Sequence, residues 1–256
     1  MALDVDSRAR LRVALEAQAT ERSRRFWTGY VRGSPPFLGV PMRGVRAVVA
    51  DWWRNERLDA VPRAQQLEAA LALFEGEHAE ERLAGILVLA EHLGPSLVVD
   101  DLPAFARLFE KRLLSDWNLT DWFCVKVLAP MIRQDPKPPT VARAVAAWRE
   151  SEPLWQRRAA CVAFVPLAPE GGARIGALPD LVEVACEALV ADPERFAQTG
   201  VGWALRELAR AEPERVRAFA ERHLERLSME AVRSLGKGLP EDVAERLVVR
   251  KKMART

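Results

Sequence analysis

Helical periodicity, interrupted by turns at fairly regular intervals, is the feature that most restricts the fold of this chain. Apolar residues recur three and four positions apart in RAQQLEAALALFEG and again in AEERLAGILVLAEHL. A stripe at this spacing covers one face of an α-helix. Strand-like alternation of apolar and polar residues does not occur along the chain. The sequence therefore predicts an all-α protein.

Glycine and proline divide the chain into helices of about 12 to 18 residues. The helices form five successive pairs: 63–74 with 78–92, 101–114 with 117–133, 139–151 with 153–167, 178–191 with 194–211, and 213–226 with 228–238. The pairs recur every 38 to 48 residues or so, roughly the period of HEAT-like repeats. Such repeats stack antiparallel helix pairs into an α-solenoid whose second helices line a concave surface, which suits an elongated partner.

The length of 256 residues is enough for one large domain or two small ones. The repeat pattern favours a single domain over 1–256. Within it, 1–60 is interpreted as an N-terminal helical cap and 63–238 as the region of about five helix pairs. The last part, 240–256, is interpreted as a C-terminal helix with a basic tail.

Charge and cysteine usage exclude several classes of protein. No apolar run approaches the 18 or so residues that cross a bilayer, and the N-terminus is charged from its fourth residue. We therefore expect a cytoplasmic protein with nucleoid-associated activity, acting as a monomer. Cys124, Cys161 and Cys186 are widely spaced within apolar helices, so they are interpreted as core thiols. The three histidines lack metal-ligand spacing, so we expect no metal and no cofactor.

The basic residues are nearly all arginine, although the net charge is only +2. The planar guanidinium group suits phosphates better than the ammonium of lysine. The base composition of the coding sequence explains the same preference for arginine, so the observation leaves both explanations open.

The N-terminal region carries ERSRRFWTGYVRG, a loop rich in glycine and proline, and then a helix that we expect to start at Pro41. Tyr30 lies just before the loop, and Arg43 and Arg46 lie just after it. Backbone amides and two guanidinium groups near a helix N-terminus would form an anion site. A plain connecting loop with two surface arginines explains the same residues.

The segment SDWNLTDWF places Trp117 and Asp121 one helical turn apart. Side chains at this spacing share one face, here at the start of a second helix. Arg158 and Trp203 occupy the same part of the next two pairs, so we expect the four groups to converge on the concave surface. Alternatively, the tryptophans are core residues, the helix dipole stabilises Asp121, and Arg158 extends along apolar surface.

Four motifs together resemble those of the AlkD-type alkylpurine DNA glycosylases, a HEAT-like-repeat family. They are YVRGSPPFLGV at 30–40, the W-x-x-x-D of Trp117 and Asp121, WQRRAA with Arg158, and GWALRE with Trp203. The resemblance covers about 20–240. It implies an enzyme that removes cationic N3- and N7-alkylated purines from double-stranded DNA in base-excision repair, including bulky minor-groove adenine adducts as possible substrates, without enclosing the flipped base.

The resemblance also implies a role for each residue. Asp121 is the catalytic carboxylate, and Trp117 and Trp203 are aromatic walls that embrace the sugar of the damaged nucleotide. Arg158 is the cation that orients Asp121 and meets a phosphate, and Tyr30 completes the aromatic cleft.

Contacts to DNA phosphates are expected from basic residues, since such contacts position a protein without reading sequence. The candidates are Arg43, Arg46, Arg157, Arg158, Arg206 and Lys237, with the tail VVRKKMART as a further attraction. Two alternatives stay open. A HEAT-like protein-interaction scaffold would explain the helices, and a non-catalytic DNA-binding paralogue would explain the groove without base release.

Overall fold

The structure is a computed structural model that describes residues 5–32 and 35–254. Every regular element in these two ranges is a helix, which confirms the predicted all-α fold class. None of the helices within them combines the length and the apolar character needed to cross a membrane.

The α-helices are named in chain order. They are α1 (Val5–Glu16), α2 (Glu21–Tyr30), α3 (Met42–Asn55), α4 (Arg63–Leu73), α5 (Ala79–Leu87), α6 (Leu102–Glu110), α7 (Trp117–Phe123), α8 (Ala129–Arg133), α9 (Thr140–Ala146), α10 (Leu154–Val162), α11 (Leu178–Leu189), α12 (Arg195–Leu208), α13 (Pro213–Arg222), α14 (Met229–Gly236) and α15 (Glu241–Met253). Their bounds agree with the helices predicted from periodicity to within a few residues at most ends.

Shorter helical segments complete the chain. Turns of 3-10 helix occur at Leu58–Ala60, Gly94–Ser96, Val99–Asp101, Ala147–Glu150 and Ala168–Glu170, and π-helical segments occur at Val88–His92 and Cys124–Leu128. The two π segments continue α5 and α7 directly. The second helix predicted at 78–92 therefore ends in a wider turn, and the one predicted at 117–133 is interrupted by such a turn, a feature that periodicity alone does not reveal.

Two chain segments differ from their predicted form. Pro41 is the residue before α3 rather than its first helical residue. The basic tail is helical as far as Met253, and Lys251 is buried within it and donates to the carbonyl oxygen of Glu225 at 2.9 Å. The basic tail is thus part of the packed structure as far as the end of α15, and its last two residues lie outside the described ranges.

The residues of the chain group into two compact units. The first unit comprises Met1–Leu97 and Arg107–Val127, and the second comprises Val98–Ala106 and Leu128–Thr256. The organisation of 1–256 as a single repeat domain with a concave groove stays a prediction.

In the first unit, α3, α5 and α7 pack side by side, with α1 against α3 and α4 against α5. The interior is aromatic. Phe123 meets Phe74 and Phe109 edge to face, with ring centroids 6.3 and 6.0 Å away. Gly85 allows this packing, because a Cβ atom there would lie only 2.7 Å from the Phe74 ring. The apolar face of α7 is fixed in this interior.

In the second unit, α10, α12 and α14 pack side by side, and α11 contacts both α9 and α12. Small residues bring the backbones close. A Cβ atom at Gly202 would lie 2.8 Å from the Cα of Ala231 on α14. On the side of α10, a Cβ atom at Gly200 would make ordinary van der Waals contact with Arg158 and Val162. It is therefore Gly202 that allows α12 to approach α14 at short distance.

The three cysteines are buried thiols that form no disulfide, which confirms their interpretation as core thiols. Cys161 on α10 and Cys186 on α11 approach to 3.9 Å between their sulfur atoms. The contact with Cys161 and burial both raise the pKa of Cys186 well above its ordinary value. Cys186 is therefore held in the thiol form inside the second unit.

Candidate active site

The helix α7 begins at Trp117 because Asp116 caps it. The buried carboxylate of Asp116 accepts a hydrogen bond from the backbone N–H of Leu119 at 2.9 Å, as an N-cap aspartate does. Arg82 supports the preceding loop by donating to the carbonyl oxygen of Leu113 at 2.8 Å. The predicted start of a helix at Trp117 is confirmed. The first acid of SDWNLTDWF, Asp116, is thus structural.

Trp117 and Asp121 lie on α7 one turn apart, and both side chains are partly exposed. This spacing directs both side chains to the same side of the helix, where the indole and the carboxylate are neighbours. Partial exposure leaves both groups accessible from solvent. The catalytic roles of Trp117 and Asp121 stay predictions.

Tyr30 and Trp117 are brought together across the first unit. Their rings meet edge to face with centroids 5.3 Å apart. Beneath them, Trp117 packs against a buried cluster of Val31, Phe37 and Ala79. The indole is therefore held from two sides, by apolar packing and by the phenol ring.

Two further aromatic residues of α2 extend this cluster. Phe26 stacks on Tyr30 with centroids 5.6 Å apart and an angle of 19° between the rings. Trp27 stacks on Phe37 at 6.0 Å. Sequence reasoning did not single out either residue. The available signal was the pair FW one turn before Tyr30, in a segment otherwise rich in arginine.

The amides of the loop after α2 bind a carboxylate of the protein itself. The N–H groups of Leu38, Gly39 and Val40 donate to Glu80 at 3.0, 2.8 and 3.0 Å. Glu80 is buried at the start of α5. Three backbone amides of the loop that was expected to contribute to an external anion site are thus occupied by Glu80.

Gly39 is needed for this arrangement on two counts. Its φ of +94° is a conformation that favours glycine, and a Cβ atom there would lie 2.5 Å from the carbonyl oxygen of Thr20. The N–H of Thr20 in turn donates to the Gly39 carbonyl oxygen at 2.9 Å. The loop therefore fixes the start of α2, and through it the position of Tyr30.

Arg43 and Arg46 lie on α3, and both are exposed. Arg46 pairs with Glu91 at 2.8 Å, and its guanidinium carbon lies 5.9 Å from the ring centroid of Trp122. Lys126 approaches the same indole at 5.8 Å. A phosphate contact by Arg46 would have to compete with an existing ion pair.

Arg158 on α10 is deeply buried, with only 4% of its surface exposed. It donates to the carbonyl oxygen of Phe196 at 2.6 Å and to the hydroxyl of Thr199 at 3.0 Å. Both acceptors lie in the first turn and a half of α12. Trp203 follows on α12, one turn after Thr199, and is partly exposed. Arg158 thus ties α10 to the helix that carries Trp203.

The remaining predicted phosphate contacts differ in how firmly they are held. Arg157 pairs with Asp192 at 2.9 Å and also donates to the Ser151 carbonyl oxygen at 3.1 Å. Arg206 pairs with Glu207 at 2.7 Å. Lys237, at the end of α14, is exposed. Arg157 therefore has a structural role in joining two turns, whatever further contact it makes.

Across residues 5–32 and 35–254, no three histidine, cysteine or acidic side chains are grouped so as to hold a metal ion. Among the predicted site residues, the first unit carries aromatic rings and the carboxylate of Asp121. In the second unit they are a buried guanidinium and a partly exposed indole. These are groups that bind cations, sugars and phosphates.

The helical architecture places the chain in a known class of fold. It is similar to a solved structure described as a predicted DNA alkylation repair enzyme from Enterococcus faecalis, with a TM-score of 0.73 and 18% sequence identity. The likeness covers 88% of this chain and 98% of the other chain. At this level of identity the likeness shows the fold.

The family follows from the sequence match. Residues 11–235 match the family model of DNA alkylation repair enzymes, so the chain belongs to that family. Membership supports a role in the repair of alkylated DNA, with DNA as the substrate. No curated protein matches the chain.

Proposed function

We propose that this protein is a DNA glycosylase that hydrolyses the N-glycosidic bond of cationic N3- and N7-alkylated purines. The observation that carries the proposal is that Asp121 and Trp117 lie one turn apart on α7, and that the ring of Tyr30 contacts Trp117. Membership in the DNA alkylation repair enzyme family supports the substrate class.

The chemistry requires only one carboxylate. An N3- or N7-alkylated purine already carries positive charge, so it leaves without a general acid, in contrast to the sugar ethers that need two carboxyl groups. The bond from C1′ to the purine nitrogen breaks, and its electron pair neutralises the departing base. Water then adds to C1′ and gives up a proton, which leaves free base and an abasic deoxyribose.

Asp121 acts on the developing charge in this scheme. Positive charge grows on the deoxyribose as the bond breaks, and an ionised carboxylate nearby stabilises it and positions the attacking water. Trp117 and Trp203 add cation–π attraction from the faces of their indoles. The resemblance also assigns a role to Arg158, whose hydrogen bonds to the start of α12 hold the helix that carries Trp203.

Selectivity then follows from charge. A neutral purine offers neither a good leaving group nor a cation for the indoles and the carboxylate. A solvent-accessible group of aromatic walls also tolerates large alkyl groups, because it does not enclose the base in a fitted pocket as most glycosylases do. Bulky minor-groove adenine adducts are therefore included in the proposed range.

Release of free base from methylated duplex DNA tests the proposal. The native protein should release N7-methylguanine and N3-methyladenine, and Asp121→Asn should lower the rate by about a hundredfold or more, the loss typical for one electrostatic group. Asp51→Asn is the matched control, since Asp51 is an exposed aspartate of α3 paired only with neighbouring Arg54 in the described ranges. Its rate should equal that of the native protein.

A duplex containing hypoxanthine adds a second comparison, because this damaged base is neutral. We expect release from it to be slower than release of N7-methylguanine by orders of magnitude. Binding to methylated and bulky-adduct duplexes without release of any base would contradict the glycosylase and favour a non-catalytic DNA-binding paralogue. Equal activity of Asp121→Asn and the native protein would remove Asp121 from the mechanism.

A further inference from the structure

The helix α2 exposes aromatic surface to an unusual degree. None of its described side chains is buried, and Phe26 and Tyr30 are 59% and 58% exposed. Among the aromatic residues in the described ranges, these two alone are that exposed. Full burial of a phenylalanine side chain would contribute favourably to folding, so an exposed stacked pair indicates a surface kept for binding.

The exposed rings are rigidly mounted. Phe26 stacks on Tyr30, and its centroid also lies 5.2 Å from that of Trp27 in an edge-to-face contact. Trp27 in turn stacks on the buried Phe37. These three aromatic contacts, together with the hydrogen bonds from the loop to Glu80, hold the ring of Phe26 in place although most of its surface is exposed.

The positive charge around the exposed rings favours nucleic acid as the ligand of this surface. The helix α2 carries Arg22, Arg24 and Arg25 against a single acid, Glu21. Glu21 pairs with Arg24 and Arg25, and the hydrogen bond from Arg25 lowers the pKa of Glu21. Arg22 is exposed and makes no ion pair within the described part of the chain. Arginines interleaved with exposed rings are the arrangement that binds nucleic acid.

We propose that Phe26, backed by Tyr30, is a stacking platform for an unpaired nucleobase of DNA, with Arg22 contacting a flanking phosphate. An aromatic face binds any base by stacking, which does not depend on sequence. A paired base inside a duplex keeps both faces covered by its neighbours. The platform therefore favours DNA in which a base has lost its partner, including the abasic product, over fully paired DNA.

A docked amphipathic helix fits the surface less well. Such a partner needs a long apolar groove with anchors over several turns. The exposed rings of α2 lie within one turn of each other and are flanked by arginines. The proposal rests on DNA as the substrate and deepens the proposed glycosylase by adding a residue, Phe26, that distinguishes opened from paired DNA.

Fluorescence anisotropy with three labelled DNAs of equal length tests the platform. The first is a paired duplex, the second is the same duplex with a stable abasic analogue that leaves one base unpaired, and the third is a single strand. The native protein should prefer the second and third. Phe26→Ala should weaken binding to these two on the order of tenfold, while binding to the paired duplex changes little.

Two variants make the result specific. Phe26→Trp keeps a ring and should keep the preference for unpaired bases. Val13→Ala is the control, because Val13 is 64% exposed on α1 and lies outside the aromatic cluster, so its binding should equal that of the native protein. Thermal unfolding of Phe26→Ala should match that of the native protein, since the side chain is largely exposed.

Equal binding of Phe26→Ala and the native protein to all three DNAs would overturn the platform. An equal loss on all three would also overturn it, because it would mean a general loss of affinity rather than of stacking. The binding assay involves no base release, so its failure leaves the glycosylase intact. Conversely, a protein that releases no base can still show the Phe26-dependent preference.

Discussion

The two units hold their candidate site residues in different ways. In the first unit, Tyr30 and Trp117 are partly or largely exposed and are fixed by contacts between rings. In the second unit, Arg158 is buried and hydrogen-bonded to the start of α12, and the helix is packed closely between two others. The first unit thus presents accessible rings at its surface, while the second fixes its groups from inside.

The difference has a physical consequence for stability. Exposed aromatic contacts contribute modestly, so the first unit depends on a buried anchor, the Glu80 carboxylate, to keep the loop and α2 in place. The second unit depends on close backbone contact between helices, where even one added carbon atom lowers the stability.

The largest effect is expected from glycine to alanine changes of opposite sign. Gly202→Ala should lower the free energy of unfolding by about 3 kcal/mol, because the new Cβ would meet the α14 backbone at 2.8 Å. Gly29→Ala, on α2, should raise it by up to about 1 kcal/mol, since nothing lies within 4 Å of a Cβ there. Urea unfolding measures both, and destabilisation of similar size at the two sites would contradict the contrast.

Glu80→Gln tests the anchor of the first unit. An amide in place of the carboxylate loses one acceptor and the charge that strengthens three hydrogen bonds, so we expect a loss of about 2 kcal/mol. Tryptophan fluorescence should report loosening around Trp27. Glu110→Gln is a control at an exposed residue of α6, and an equal loss there would argue against a special role for Glu80.

Loss of an arginine side chain should lower the free energy of unfolding more in the second unit than in the first. Arg158→Met breaks two described hydrogen bonds of a buried side chain, so a loss of about 2 kcal/mol is expected. Arg46→Met breaks an exposed ion pair with Glu91, which is worth less than about 1 kcal/mol. Thermal unfolding compares the stabilities of the two variants. A larger loss of stability for Arg46→Met than for Arg158→Met would contradict the expectation that the buried arginine contributes more.

The smallest effect is expected from pH. Burial lowers the pKa of His92 in the first unit and of His223 in the second below the ordinary 6.5, with Arg222 adding to the effect at His223. The unfolded chain therefore binds more protons, so this contribution to stability is complete above pH 6.5 and is lost as the pH falls below it. His223→Gln should flatten the fall of the unfolding temperature between pH 7.5 and 5.5; an unchanged slope would contradict it.

Much of the fold was accessible from the sequence because helices are encoded locally. Apolar spacing, proline and glycine placed the helices of both units to within a few residues, and α7 started at Trp117 as the segment SDWNLTDWF indicated. The motifs that resembled a DNA repair family agreed with the family match over 11–235. The rings of Tyr30 and Trp117, two residues of the aromatic cleft that the same resemblance implied, are in contact in the first unit, and the cleft itself stays a prediction.

Long-range contacts were not accessible in this way. Nothing near Leu38 or Gly39 in the sequence indicates that Glu80, about forty residues later, binds their amides. The exposed stack of Phe26 on Tyr30 depends on α2 having no buried side chain, although an FW pair in a helix commonly lies in a core. The burial of Arg158 depends on how closely α12 approaches α10.

The sequence by itself determined the helical class, the positions of the helices, the chemical types in the candidate site and the family. Those properties depend on spacing within one or two turns of chain. The tertiary structure decided which amides were already occupied, which arginines were buried, and which aromatic rings stayed in solvent. Those properties depend on packing between segments far apart in the chain, where a distance of a few tenths of an ångström decides whether a group is paired, buried or exposed.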